Sequence, residues 1–490
     1  MGCLPFDKNK NSSMTIANRR RNHLPIAVGL SLVALLMGLL VMQFPDYIVA
    51  AGTQARIDSS NLLRDYLQAL GWGLVLFVPI LLIPANRQER KALLLLWLIK
   101  LLVITLGVML PYEQIYCADA CAYHTLGVHL HQWWPKDSHR FGAPGFGNGS
   151  ANMVVFAGWH AQLISQSFHV MKVTWSLFGF FAIYLFYRAA TLYLGKRDVR
   201  VLYLLALFPG IIFWSSIFGK DPLVLLGIAG YTLGVVGWFR QHRLRWIILL
   251  LAGLLFAASM RIWLGAIFLL PLILLALRDA SWLWRMAIGA LAIIAFGYAF
   301  SLSLDKFKIA SQEDAVQRSG AIAQSWAHGG SAQHIQGGLN STSEILKFLP
   351  VGAFSALFRP LPGEVPSVFG ILASVENLIL LWLLGTCIFR GRWRRLKNDP
   401  LLLWAALLVV TWASIYGIAS YQNLGTAVRF KLQIEPILLL LLVQLARRTP
   451  AFVPAHARKA SLPSSAAALR PLFASGQDQE LVHANPPPEP

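Results

Sequence analysis

The segment Tyr112–His139, YEQIYCADACAYHTLGVHLHQWWPKDSH, is the first extended polar run in an otherwise apolar chain. It gathers Glu113, Asp119, His124, His129, His131, Asp137 and His139 beside several aromatic residues. Read as a helix from about Glu113 to Leu130, it places Asp119 and Tyr123 on one face, four residues apart. His124 falls on the neighbouring flank, roughly 140° round at about 100° per residue. A carboxylate, a phenol and an imidazole grouped at a membrane surface could bind or deprotonate a substrate hydroxyl.

The rest of the chain has the composition of a membrane scaffold for such a group. Of 490 residues, 56% are hydrophobic and 13% charged, against about 25% charged in an average soluble domain. Apolar stretches of about 18 residues or more recur, each long enough to cross a ~30 Å hydrocarbon layer as a helix. Strand-period alternation is absent, so helices are expected to satisfy the backbone in lipid. The fold class expected is therefore an all-α, polytopic integral membrane helical bundle of about twelve transmembrane helices, with external loops and interfacial helices.

The spans are read at about Pro25–Gln43, Leu67–Pro84, Ala92–Leu110, Thr174–Leu194, Val201–Phe218, Pro222–Phe239, Trp246–Met260, Trp263–Leu277, Met286–Leu304, Val368–Phe389, Leu401–Ser420 and Leu432–Ala446. Ala151–Val170 reads as an interfacial or re-entrant helix. Residues 1–24 form a basic tail, 25–446 the membrane domain with external loops at 111–150 and 305–366, and 447–490 an Ala/Ser/Pro-rich tail expected to be disordered. The net charge of +20 does not point to nucleic acid, because the basic residues sit in short loops between spans. Alternate loops and both tails hold about 26 of the 42 Lys and Arg, against about 14 on the other side. Both termini are thus expected in the cytoplasm, with the Tyr112 loop facing out. The four cysteines form neither a metal pattern nor a disulfide framework. Cys117 and Cys121 could pair only if their segment departs from a regular helix.

With that topology, several polar residues collect on the outward side. Asp221, followed by Pro222, reads as a helix N-cap, which does not exclude a binding role, and Lys220 is either a phosphate donor or an interface anchor. Arg261, Arg359, Arg429 and Lys431 all run against the basic-inside bias, and arginine binds phosphate through paired donors at any relevant pH. Each alone reads first as an interface anchor; together with the acidic loop they could cradle the phosphate of a lipid carrier. Lys100 and Glu376 lie within spans, where a charge needs a partner or a function, and Glu376 is expected to pair with Lys100 or an arginine. Ser311–Gly338, with Glu313, Asp314, Arg318, His328 and His334, reads as an external lid. Its histidines lack zinc-type spacing, so no metal ligand is assigned.

Four stretches give the chain a resemblance over about 112–446: DACAYHTLG (Asp119–Gly127), FPGIIFWSSIFGKDP (Phe208–Pro222), LFRPLPGE with ASVEN (Leu357–Asn377) and NLGTAVRFKLQIEP (Asn423–Pro436). It resembles bacterial multi-span glycosyltransferases of the GT-C type and the related surface-polysaccharide polymerases. The resemblance implies a GT-C-like bundle in the bacterial inner membrane that uses a polyprenyl-linked sugar or oligosaccharide as donor and a glycan as acceptor. It makes Asp119, with Glu113 and His124, the candidate catalytic groups, and Lys220, Asp221, Arg261, Arg359 and Arg429 the candidate substrate and phosphate binders. The acidic loop follows the third span here, whereas the transferase pattern places it after the first, which keeps the polymerase reading open. A flippase for lipid-linked oligosaccharide is a further alternative, and assistance by Mg²⁺ or Mn²⁺ is left open.

Overall fold

In hydrocarbon, a chain without alternating strands can satisfy its peptide groups only through helices, and every regular element among the described residues is a helix. The computed structural model describes residues 62–109, 112–113, 117–129, 142–279, a few positions between 281 and 297, then 331–333, 341–365, 367–390 and 393–447. The chain divides into Met1–Ala446 and Arg447–Pro490. The basic N-terminal tail, the expected span Pro25–Gln43, most of Met286–Leu304, most of Ser311–Gly338 and nearly all of the C-terminal tail lie outside the described residues.

In chain order the helices are α1 (Leu62–Val75), α2 (Phe77–Leu81), α3 (Arg87–Val108), α4 (Ala118–Val128), α5 (Gly149–Leu163) and α6 (Phe168–Leu194). They continue with α7 (Val199–Ala206), α8 (Pro209–Trp214), α9 (Lys220–Gln241), α10 (Leu244–Met260) and α11 (Trp263–Asp279). The remainder are α12 (Thr342–Phe358), α13 (Val368–Phe389), α14 (Arg394–Asn398), α15 (Pro400–Ala419), α16 (Leu424–Lys431) and α17 (Glu435–Ala446). Five of these, α3, α6, α9, α13 and α15, are long and apolar enough to cross a membrane; α10, α11 and α17 are apolar but shorter.

Local chemistry explains most boundaries. Asn86 and Glu89 form a reciprocal capping box at the start of α3. Ser167 caps α6, whose end is closed by Gly195 in the left-handed region at φ 66°. Asp399 caps α15 with Pro400 at its first position. The second half of α3, from Lys100, widens into a π-helix, a form associated with functional positions.

The structure corrects several expected elements. Val201–Phe218 is not a continuous span: α7 stops at Ala206 and α8 restarts at Pro209, where proline has no N–H to continue the ladder. Leu432–Ala446 is split from α16 by a turn, with Pro436 in the donor-free first turn of α17. The expected external loop 305–366 contains the apolar helix α12, capped by Ser341. The expected helix Ala151–Val170 ends at Leu163, and its last residues open α6. Cys117 and Cys121 are disulfide-bonded. Cys117 stands at the N-cap of α4 with non-helical ψ 20°, which is the departure from regular helix that pairing at this spacing requires.

Helix α9 packs against α6 on one side and α10 on the other. The α9–α10 contact is close because glycines meet there: a Cβ on Gly253 would stand 2.3 Å from the Tyr231 nitrogen. Small residues that let helix backbones approach are the usual substitute for a hydrophobic driving force in lipid. The loops rich in Lys and Arg come together at one end of the bundle. There Arg197 meets Glu89 at 3.0 Å, Tyr193 donates to Asp399 at 2.7 Å, and Arg395 donates to the Gln444 carbonyl at 3.2 Å. The N-termini of α5 and α9 and the C-termini of α10 and α16 gather at the opposite end.

Candidate functional site

At that second end, Asp221 sits in the first turn of α9, where the helix dipole favours a negative charge. It is not the N-cap expected from its proline neighbour; Gly219 holds that position. Freed from capping, the Asp221 carboxylate bridges two arginines. Oδ1 accepts from Arg261 Nη2 at 2.7 Å and Oδ2 from Arg429 Nε at 2.7 Å. Arg261 is delivered by the turn between α10 and α11, and Arg429 by the last turn of α16. The Arg261 guanidinium also lies 4.4 Å from the centre of the Phe430 ring, a cation–π contact that helps hold it out of water.

From this buried core the site opens outward. Arg429 Nη1 lies 3.9 Å from Asp119 Oδ2, and exposure rises from 2% at the Asp221 side chain to 26% at Arg429 and 55% at Asp119. The gradient separates two roles. Asp221 is a strut holding two guanidinium groups, whereas Asp119 is the exposed carboxylate of the group.

Lys220 closes the other flank, donating to Ser150 Oγ at 3.0 Å with its ammonium 5.9 Å from the Tyr123 ring centre. Ser150 also accepts from the Tyr123 hydroxyl at 3.4 Å. Its position depends on Gly149, since a Cβ there would fall 2.2 Å from the Met260 carbonyl oxygen. That close approach seats the start of α5 against the end of α10, where Asn148 bridges to Arg261. Burial, seconded by the Asp119 charge, pushes the Tyr123 phenol up to about 12. Tyr123 is thus a neutral hydrogen-bonding group at physiological pH and not a base.

Among the described residues, three cations (Lys220, Arg261 and Arg429) stand against two carboxylates (Asp119 and Asp221). The excess positive charge favours an anion, and Arg261 Nη1, buried without a hydrogen-bond partner, is a donor still to be satisfied. Among the described residues no group of three His, Cys, Asp and Glu side chains could hold a metal ion. The position between Asp119 and Asp221 is occupied by the Arg429 guanidinium.

Three of the residues singled out from sequence stand elsewhere. Glu113 is buried and bound to Lys172 Nζ at 2.7 Å; burial raises its carboxyl and the lysine opposes that rise. It is a structural partner of α6, not a base beside Asp119. His124 is turned toward the α5–α6 connection, where its Nε2 donates to the Gln166 carbonyl at 2.7 Å and its ring meets Phe168 edge-on. Burial lowers its imidazole below the ordinary value, so it is neutral at pH 7. Arg359 is held by Glu364, with Nη2 to Oε1 at 2.6 Å and Nε to Oε1 at 2.8 Å, and by Gln333 at 3.2 Å. It lies on the rim, outside the Asp221 network.

The intramembrane charges found other partners than those expected. Lys100 is surrounded by the hydroxyls of Ser215 and Ser216, each at 2.7 Å, and by the Ile212 carbonyl at 3.2 Å. Glu376 pairs with Lys431 at 2.7 Å. The role of Tyr123 and Ser150 in placing Lys220 was only half visible in sequence, through the four-residue spacing of Asp119 and Tyr123. No family model matches this chain, and no curated protein or solved structure does either.

Proposed function

We propose that the chain is a membrane-embedded glycosyltransferase that takes its sugar from a polyprenyl phosphate or pyrophosphate donor. The reaction is set at the outer face of the bacterial cytoplasmic membrane, in exopolysaccharide or cell-surface glycan synthesis. The observation that carries this reading is the relay Asp119–Arg429–Asp221–Arg261: a half-exposed carboxylate beside a partly exposed arginine and a buried one, both held by Asp221. Asp119 takes the proton of the acceptor hydroxyl as its oxygen attacks the anomeric carbon, a contribution of about 10²–10⁴-fold. The bond from that carbon to the donor phosphate breaks, and its electrons leave with the phosphate oxygen. Lys220, Arg261 and Arg429 receive the developing charge, each such donor being worth about 3 kcal/mol when fixed in advance. Asp221 positions the arginines.

Two features support the sidedness. The Cys117–Cys121 disulfide flanks Asp119, and disulfides persist in oxidising compartments such as the periplasm. The basic loops gather at the opposite end, as expected for cytoplasmic loops.

The test is profiling of lipid-linked glycans in cells carrying Asp119→Asn or Arg429→Ala. Single repeat units accumulating on lipid identify the related polymerase reaction, in which the growing chain is the acceptor. A long polymer lacking one sugar identifies a decorating transferase. Unchanged glycans in both variants refute the proposal.

A further inference from the structure

A second charged cluster lies inside the bundle, apart from the proposed transfer chemistry. Glu376 of α13, Lys431 at the end of α16 and Glu435 at the start of α17 are each no more than 1% exposed. Lys431 Nζ is 2.7 Å from Glu376 Oε1 and 3.2 Å from Glu435 Oε1, and it also donates to the Asn377 side-chain oxygen. The backbone N–H of Gly210, in α8, donates to Glu376 Oε2. Glu435 Oε2 is buried without a hydrogen-bond partner, and Oε1 has only the ion pair with Lys431.

The two carboxyls crowd one point. An ideal Cβ on Gly210 would stand 2.6 Å from Glu376 Oε2 and 2.7 Å from Glu435 Oε2, so the two oxygens face the same point of α8. If both were ionised, two negative charges would face a single ammonium in a dry interior, leaving one uncompensated charge where burial is most expensive. Among the described residues other charges do not make up the difference. Lys100, behind α8, is committed to Ser215 and Ser216, and Gln433, between Lys431 and Glu435, is uncharged and accepts from Trp412 at 3.1 Å. A metal cation is an unsuitable third partner, because the ammonium of Lys431 already fills the cationic position between the carboxyls.

We infer that Glu376, Glu435 and Lys431 form an intramembrane proton-binding site, in which one proton is shared by the two carboxyls at neutral pH. The proton neutralises the trio and gives Glu435 Oε2 the hydrogen-bond partner it lacks. Paired carboxyls that cannot both ionise hold a common proton for the same reason. The elements that grip it are those leading to the candidate site: α8 runs on toward Asp221, and α16 carries Arg429 two residues before Lys431.

Charge counting supplies the test. In the full-length protein in detergent, infrared difference spectroscopy between neutral and alkaline pH reads the C=O band of a carboxylic acid. Labelling with a hydrophobic carbodiimide, mapped by mass spectrometry, locates it. The wild-type protein is expected to show the band at neutral pH, with the label on Glu435 or Glu376. Glu376→Gln and Glu435→Gln each leave one carboxylate against Lys431, so each is expected to fold, to lose the band and to block labelling of the remaining glutamate. The double glutamine variant strands Lys431 and is expected to yield little folded protein. A wild-type protein without the band, or a band that survives both single substitutions, overturns the inference. So would folding of the double variant at wild-type yield.

Discussion

Asp221 Oδ2 accepts from Arg429 Nε at 2.7 Å across 208 residues of chain, joining the start of α9 to the end of α16. The same carboxylate holds Arg261, so one acidic side chain fixes two guanidinium groups delivered by different helices. This separates the two acids of the site by consequence as well as by exposure.

Replacement of Asp221 by Asn is expected to destabilise the protein by about 3–5 kcal/mol, the cost of leaving a buried charge without its partner. Asp119→Asn, at a half-exposed position, is expected to change stability by no more than about 0.5 kcal/mol, while lowering sugar transfer by about 10²–10⁴-fold. Thermal unfolding in detergent alongside glycan profiling checks both. Equal stability losses in the two variants would contradict the division into strut and base.

Glu364 carries a pH signature. Burial raises its carboxyl, but the hydrogen bonds from Arg359 and the Leu361 N–H, with the Arg359 charge, together outweigh burial and hold it below its ordinary value. A carboxyl lowered on folding contributes stability that is present above its unfolded value and lost as pH falls through the folded one. Arg359→Ala and Glu364→Gln are therefore each expected to cost about 1 kcal/mol at pH 7, the scale of a partly exposed pair, and nothing once the carboxyl is protonated. The melting-temperature difference from wild type should hold near neutral pH and shrink as pH falls through the lowered value of the folded carboxyl. Because Arg359 stands outside the Asp221 network, transfer activity is expected to persist in both variants.

The long apolar runs were readable because hydropathy needs no partner: Val368–Phe389 has the expected bounds, and α9 and α15 differ from expectation by about two residues or fewer at each end. The bias argument was legible only in part: Arg261 and Arg429, which run against it, meet at Asp221 with Asp119 alongside, but Arg359, which runs against it too, is held by Glu364 and Gln333 instead. Other signals were present and unused. Ser341 and Glu344 have the spacing of a helix start before the apolar residues of α12, and Pro209 marks the break before α8. Partner choice was not legible. Nothing local assigns Glu113 to Lys172 or Glu376 to Lys431; which buried charges meet is decided by how helices distant in sequence pack.

At Gly227 and Gly253 the α9–α10 seam is expected to tolerate no side chain. A Cβ at Gly227 would stand 2.8 Å from the Ala257 nitrogen, and one at Gly253 2.5 Å from the Gly227 carbonyl oxygen. These obstacles are backbone atoms, which cannot rotate away. Gly227→Leu and Gly253→Leu are each expected to exceed the ordinary overpacking cost of about 1–3 kcal/mol and to abolish the monodisperse peak in size-exclusion chromatography. Gly385→Leu, at a position with no atom within 4 Å of the added carbon, is the matched control and should elute as wild type.

The Cys117–Cys121 bridge encloses Asp119 and pins the first turn of α4. So short a loop is worth only ~2 kcal/mol in chain entropy, so Cys117→Ser together with Cys121→Ser should leave the bundle folded. Transfer is expected to fall all the same, because the turn that aims Asp119 at Arg429 is no longer held. The pair also reports sidedness. In a Cys3→Ser, Cys387→Ser background, intact cells treated with an impermeant reductant should take up an impermeant maleimide on both cysteines, and untreated cells on neither. Labelling that appears only after permeabilisation would turn Asp119 toward the cytoplasm, away from any donor on the outer leaflet, and would reverse the orientation on which the transfer reaction depends.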